Sequence, residues 1–196
     1  AFILLVDFLI FAIDTYRFVE IHTRKRIQYV MQHLHRVTAQ RFEAHQQRLV
    51  LLGDILYHGP RNDLPKDYAP KQVIEMLNAI SDQLICVRGN CEAEVDQMVL
   101  NIPVLSESCI LYIDGQTIYA THGHINSPAN PPKLHKGDIL LTGHTHIPAW
   151  EEYDNFLYLN PGSVSIPKEN SKHGYMIYKD TTFLWKTLEG DVYHTL

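Results

Sequence analysis

Cysteine is scarce: Cys86, Cys91 and Cys109 are the only three in 196 residues. An odd, sparse set excludes a disulfide framework and points to a reducing, cytoplasmic setting. Also missing is any apolar run near the roughly 20 residues that a membrane-spanning helix needs. The most apolar stretch, residues 1–13, is shorter and carries Asp7. It reads as one or two buried strands, and no membrane partner is expected. The basic start and small-residue cleavage site of a secretory leader are not visible. Excess positive charge is lacking too: 17 Lys and Arg face 22 Asp and Glu, a net of −5. Nothing in that balance argues for nucleic acid as a partner. Residues 15–47 contain no Pro or Gly. With Ile27, Val30, Met31 and Leu34 at three- and four-residue spacing, they read as helical, with Arg24, Lys25, Arg26, Arg36, Arg41 and Arg48 on a solvated face.

What is present is an ordinary globular balance, with 45% hydrophobic and 20% charged residues. The length suits one domain, residues 1–196, with a core of its own. From residue 48 onward the pattern is α/β. Residues 49–52 form an apolar run ending in Gly53-Asp54. Pro70 then opens a helix with Val73, Ile74, Leu77 and Ile80 on one face. Residues 84–87 form a second apolar run ending in Arg88-Gly89-Asn90. Strand, helix, strand of this length predicts a parallel pair with a right-handed crossover. Further on, 109–113 and 117–120 flank Asp114-Gly115 as a hairpin. Residues 139–141, 149–159, 174–178 and 181–187 read as further short strands. A layered α/β architecture follows.

Metal-competent side chains stand where these strands end. Asp54 follows the first apolar run and Asn90 the second. His122 and His124 follow the strand at 117–120, and His144 and His146 follow the one at 139–141. In α/β sheets, ligands bind at the carboxyl ends of strands. Carboxylate, amide oxygen and imidazole make a mixed O/N donor set suited to Mn, Fe or Zn. Such a set could hold two cations, with Asp54 bridging them and a hydroxide between them attacking phosphorus. Taken alone, a strand-end Asp is more often structural; His144 and His146 are a stronger signal, because alternate residues after a strand point both imidazoles the same way, and the ordered series of four strand ends makes the site. The other histidines (His22, His33, His35, His45, His135, His173 and His194) lack this context and read as surface residues.

Gly53-Asp54, Arg88-Gly89-Asn90-Cys91-Glu92, Thr121-His122-Gly123-His124 and Gly143-His144-Thr145-His146 resemble, in this order, the motifs of calcineurin-like metallophosphoesterases. The stretches His58-Gly59-Pro60-Arg61-Asn62, Glu94-Val95-Asp96-Gln97-Met98 and the one opening with Asn160-Pro161-Gly162-Ser163 are similar to the small bacterial YfcE-type phosphodiesterases. The resemblance covers about residues 48–178. It implies a β-sandwich flanked by helices and a two-metal site, usually Mn-activated, acting on small-molecule phosphodiesters. Carried over by motif, Asp54 bridges the metals, Asn90, His122 and His144 complete the second metal's shell, and His146 serves the first. Cys91 stands where many relatives have a His that protonates the leaving group, so Asn90, Cys91 and His122 are the candidate catalytic residues. A thiol suits that acid role poorly near pH 7. Glu92 stands where Asp is more usual. Arg61 is the candidate phosphate clamp, because a guanidinium binds phosphate through two donors.

The family's opening motif, a strand followed by Asp, any residue and His, is not found. The outline Asp14-Thr15-Tyr16 has Tyr16 at the His position, and residues 1–47 are atypical for the family. Two readings stand: a diverged N-terminal segment, or a shifted reading frame that rejoins near Arg48. With Asp54, Asn90, His122 and His144 intact, one metal is expected to be held, with weak activity. The alternative function is a catalytically impaired, one-metal or scaffold protein of the same fold. An apolar N-terminal run left exposed would favour a homo-oligomer.

Overall fold

In the computed structural model, residues 7–11, 47–56, 70–165 and 167–196 are described. Two sheets face each other. The first has six strands in the order β11-β10-β9-β1-β2-β3. Its parallel part is β1 (Asp7–Phe11), β2 (Gln47–Leu51) and β3 (Leu84–Cys86). β9 (Gly174–Lys179) pairs antiparallel with β1, and β10 (Thr182–Thr187) and β11 (Val192–Thr195) extend the sheet with each strand antiparallel to the one before it. The second sheet has five strands in the order β4-β5-β6-β8-β7. These are β4 (Ser108–Ile113), β5 (Gln116–Thr121), β6 (Asp138–Leu141), β7 (Pro148–Glu152) and β8 (Phe156–Pro161). Strands β5, β6 and β8 are parallel, so their carboxyl ends lie on one edge.

Side-chain alternation explains the layering. Successive residues of a strand face opposite sides of the sheet. Along β2 and just past it, Val50 and Leu52 enter the space between the sheets, where they join Ile118, Ile139, Leu141, Leu159, Met176 and Trp185. Leu49 and Leu51 face the other way and join Leu77, with Val73 and Ile74 packed beside them. Those three belong to helix α1 (Pro70–Asn78), which thereby covers the outer face of the six-stranded sheet. The predicted β-sandwich with a helical flank is therefore the observed architecture. The expected parallel pair is also present, with Leu49 opposite Leu84 and Leu51 opposite Cys86.

The hairpin between β4 and β5 turns at Asp114 (φ 51°) and Gly115 (φ 81°). Two successive positive φ values match the right-handed twist of the flanking strands, and Asp-Gly supplies them at low cost. Tyr178 Oη donates to Asp114 Oδ2 at 2.8 Å and pins the turn to the facing sheet. Two elements had no expectation behind them. Helix α2 (Glu94–Val99) has no buried residue, so it shows no apolar periodicity; the Asp96 carboxylate caps it by accepting from Ala93 N–H at 2.8 Å. Strand β11 is short and half exposed at the sheet edge. Two histidines read as surface residues are in fact partly buried. His173 Nδ1 bonds Val164 O at 2.9 Å, and His194 stacks on Trp150 with ring centroids 3.6 Å apart. His135 is exposed as expected, and the histidines before residue 46 lie outside the described residues.

Leu141 closes β6 at 1% exposure in the inter-sheet core. Truncation there leaves a cavity that a sheet cannot collapse around. Leu141→Ala is expected to lower unfolding free energy by about 2–5 kcal/mol, read from urea denaturation monitored by circular dichroism.

Candidate metal centre

The site grows from close packing of two loops in the six-stranded sheet. Past β2 the chain passes through Leu52 to Gly53 (φ 91°) and Asp54 (φ 56°). A Cβ on Gly53 would lie 2.6 Å from Gly89 Cα, so the loops after β2 and β3 touch backbone to backbone and only glycine fits. Cys91 N–H donates to Asp54 Oδ1 at 2.9 Å. The Glu92 carboxylate accepts from Ile55 N–H at 2.6 Å and from Gly89 N–H. Asp54 is thus buried, at 3% exposure, with one oxygen held by the neighbouring loop.

The facing sheet contributes imidazoles. His122 follows the last residue of β5 and is 2% exposed. The loop after β6 carries His144 (φ 62°) and His146 (φ 63°), both in the left-handed region. For a residue with a Cβ that costs on the order of 1 kcal/mol each, so the surroundings must hold the loop. Asn160 does so from β8. Its Nδ2 donates to Gly143 O at 2.7 Å and lies 3.1 Å from Thr145 Oγ1, while its Oδ1 accepts from Gly162 N–H at 2.9 Å. Gly143 N–H also donates to His122 O at 2.9 Å, tying the two histidine loops together.

Ligand atoms of Asp54, His122 and His144 all lie within 4.8 Å of one another. His122 Nδ1 is 2.6 Å from Leu52 O. A carbonyl only accepts, so Nδ1 carries a hydrogen and Nε2 faces the cluster. Around Nε2 stand His144 Nδ1 at 3.0 Å, Asn90 Oδ1 at 3.1 Å and Asp54 Oδ2 at 3.3 Å. Four groups with lone pairs converge on one point, which a proton or a cation must occupy. The backbone bond at His122 Nδ1 is the arrangement that orients a metal-bound imidazole. The donor set therefore fits a divalent cation.

Electrostatics agree with the geometry. Burial pushes the Asp54 carboxyl up, but the His122 ring outweighs it and holds Asp54 below the usual carboxylate range. Burial likewise pushes His122 down, and Asp54 more than offsets this, leaving His122 above the usual imidazole range. Burial, then the His122 charge, lowers His144, which keeps it a neutral donor.

Of the residues expected at the site, Asp54, Asn90, His122 and His144 are brought together. Cys91 is half-buried beside them, with Asn90 Nδ2 at 3.2 Å from its sulfur. His146 is buried next to His144 but is not among the donors within 4.8 Å of one another. Its left-handed backbone breaks the strand alternation that suggested parallel imidazoles. His124 is exposed, its ring 5.3 Å from that of His122. Arg61, Asp14 and Tyr16 lie outside the described residues. Asn160 and Glu92 were not assigned a role; a buried polar residue at a strand end is the signal for Asn160.

Carboxylate, amide and imidazoles at the carboxyl ends of strands from two facing sheets make a donor set that could hold a divalent cation, as the metallophosphoesterase class requires. The calcineurin-like phosphoesterase superfamily domain matches residues 19–182, starting upstream of Arg48 where the recognisable motifs begin. Phosphodiesterase YfcE of Escherichia coli K12 is 47% identical over 129 residues, which are 66% of this chain and 70% of that protein. A solved structure of the E. coli phosphoesterase Yfce has a TM-score of 0.83 at 34% identity, covering 97% of this chain and 98% of that one. Vps29 from Entamoeba histolytica, solved in complex with zinc, has a TM-score of 0.54 at 18% identity over 97% of this chain and 98% of that one, and shares the fold. The chain belongs to the calcineurin-like phosphoesterase superfamily and is a phosphoester hydrolase.

A proton on His122 Nε2 competes with a cation for the same lone pair, and Asp54 strengthens that proton. Affinity for Mn is therefore expected to rise with pH between about pH 6 and pH 8, with proton release on binding. Calorimetry in buffers of different ionisation enthalpy checks this; a pH-independent affinity contradicts it.

Proposed function

We propose that this chain is a metal-dependent phosphodiesterase acting on small phosphodiesters, with Asp54, Asn90, His122 and His144 as ligands of a divalent cation and Mn as the preferred ion. The observation that carries this is the convergence of Asp54 Oδ2, Asn90 Oδ1 and His144 Nδ1 on His122 Nε2 within 3.3 Å. A divalent cation at that point supplies Lewis acidity toward phosphoryl oxygens and acidifies water at neutral pH. The mixed O/N donors suit Mn better than a thiolate-preferring ion.

The chain's own residues do the rest. The Leu52 carbonyl fixes the His122 tautomer, so the Nε2 lone pair faces the point where the cation would sit. Asp54, its other oxygen held by Cys91 N–H, cannot rotate away. Asn90 is exposed while Asp54 and His122 are buried, so substrate approaches from the Asn90 side. Cys91 on that side is the candidate acid toward the leaving group. A thiol favours esters whose leaving groups need little protonation. His146, with Asp14, is the candidate for a second ion. In sequence Asp14 follows the end of β1 by three residues, the spacing by which Asp54 follows β2. Arg61 is the candidate phosphate clamp.

A net charge of −5 supports a small substrate over nucleic acid. Three free cysteines support a cytoplasmic setting, and no helix among the described residues is long and apolar enough to cross a membrane.

The test is hydrolysis of bis(p-nitrophenyl) phosphate by metal-stripped protein with and without added Mn, beside His144→Ala. Mn-dependent turnover, reduced at least about 100-fold in the variant, is expected. Metal binding that needs His144 without any turnover would instead make this a binding protein on a phosphoesterase fold.

A further inference from the structure

The loops after β2 and β3 exchange bonds reciprocally. Asp54, on the first loop, accepts from Cys91 N–H on the second at 2.9 Å. Glu92, on the second, accepts from Ile55 N–H on the first at 2.6 Å. Its other oxygen accepts from Gly89 N–H, which closes its own turn around Asn90. Each loop thus offers one carboxylate to the other's backbone. Glu92 is 5% exposed, so water cannot replace either bond. The space is also closed: a Cβ on Gly89 would lie 2.5 Å from Asp54 N and 2.7 Å from Glu92 Oε2.

Asp54 and Asn90 are the two oxygen donors of the cluster, and they sit on opposite sides of this latch. Asp54 also holds a left-handed backbone that a free loop would relax. We propose that Glu92 is a positioning residue: its two-oxygen bridge sets the separation of Asp54 and Asn90, and with it the affinity for the divalent cation. Glu92 acts on the ion only through the backbone of the two loops it joins. This rests on the metal reading of the site.

Glu92→Gln keeps the shape but turns one acceptor into a donor facing an N–H. Glu92→Asp keeps both acceptors on a shorter arm. Calorimetric titration of metal-stripped full chain with Mn is expected to show affinity lowered about 10–100-fold in Glu92→Gln, with most of it restored in Glu92→Asp and circular dichroism unchanged in both. Wild-type affinity in folded Glu92→Gln would overturn the proposal, as would equal losses in the two variants. Should Glu92→Gln fail to fold, amide exchange in the wild type decides: Ile55 and Gly89 are expected to be protected, and exchange as fast as unbonded exposed amides would overturn it. If the wild type binds no Mn, the metal reading itself fails, and the latch is judged on that exchange alone.

Discussion

A buried carboxylate and a buried imidazole meet where two sheets end, and most of the site follows from that contact. Asp54 and His122 are 3% and 2% exposed and come from opposite sheets, with Oδ2 and Nε2 3.3 Å apart. Burying either alone is costly, because a charged or polar group out of water needs a partner. Paired, each shifts the other: the carboxyl is held down and the imidazole up. The sandwich must therefore bring the carboxyl ends of β2 and β5 together. Parallel pairing within each sheet then carries β3 and β6 to the same edge, with Asn90 and His144 at their ends.

Holding that meeting point requires backbone conformations that a relaxed chain avoids. Asp54, His144 and His146 are all left-handed. The surrounding structure compensates differently in the two sheets. On one side, glycine at 53 and 89 permits contact that any side chain would block, and carboxylates bind amides across the gap. On the other, buried Asn160 binds the loop carbonyl at Gly143, and Trp185 Nε1 donates to Asn160 O at 2.8 Å. The core and the site are thereby one structure: Trp185 is fully buried between the sheets and supports the residue that supports the histidine loop. Strain at ligand positions is sustained because rigid elements determine it.

Much of this arrangement was legible in residue order. Apolar runs that stop at Gly53-Asp54, Arg88-Gly89-Asn90, Thr121-His122 and Gly143-His144 announce strands with polar ends, and four such ends in series make a site where any one alone would read as a turn. The Asp114-Gly115 turn and the Pro70 helix were equally plain, since each rests on a local backbone preference. Long-range contacts were not. Nothing local in Glu92 says that its carboxylate will accept from Ile55, and nothing in Asn160 says that it will bind a loop 17 residues away. The differing placement of His144 and His146 depends on positive φ at both, which spacing does not reveal. Helix α2 went unread because it buries nothing. The family match begins at residue 19, whereas recognisable motifs begin near Arg48.

Turnover, affinity and stability each approach the site indirectly, whereas the location of a bound ion addresses it at once. Crystals of the metal-stripped protein soaked in Mn, with anomalous scattering collected at the Mn edge, give that location. An anomalous peak is expected between Asp54 Oδ2, Asn90 Oδ1, His122 Nε2 and the His144 ring. A peak elsewhere with those four side chains ordered, or no peak at saturating Mn, would contradict it.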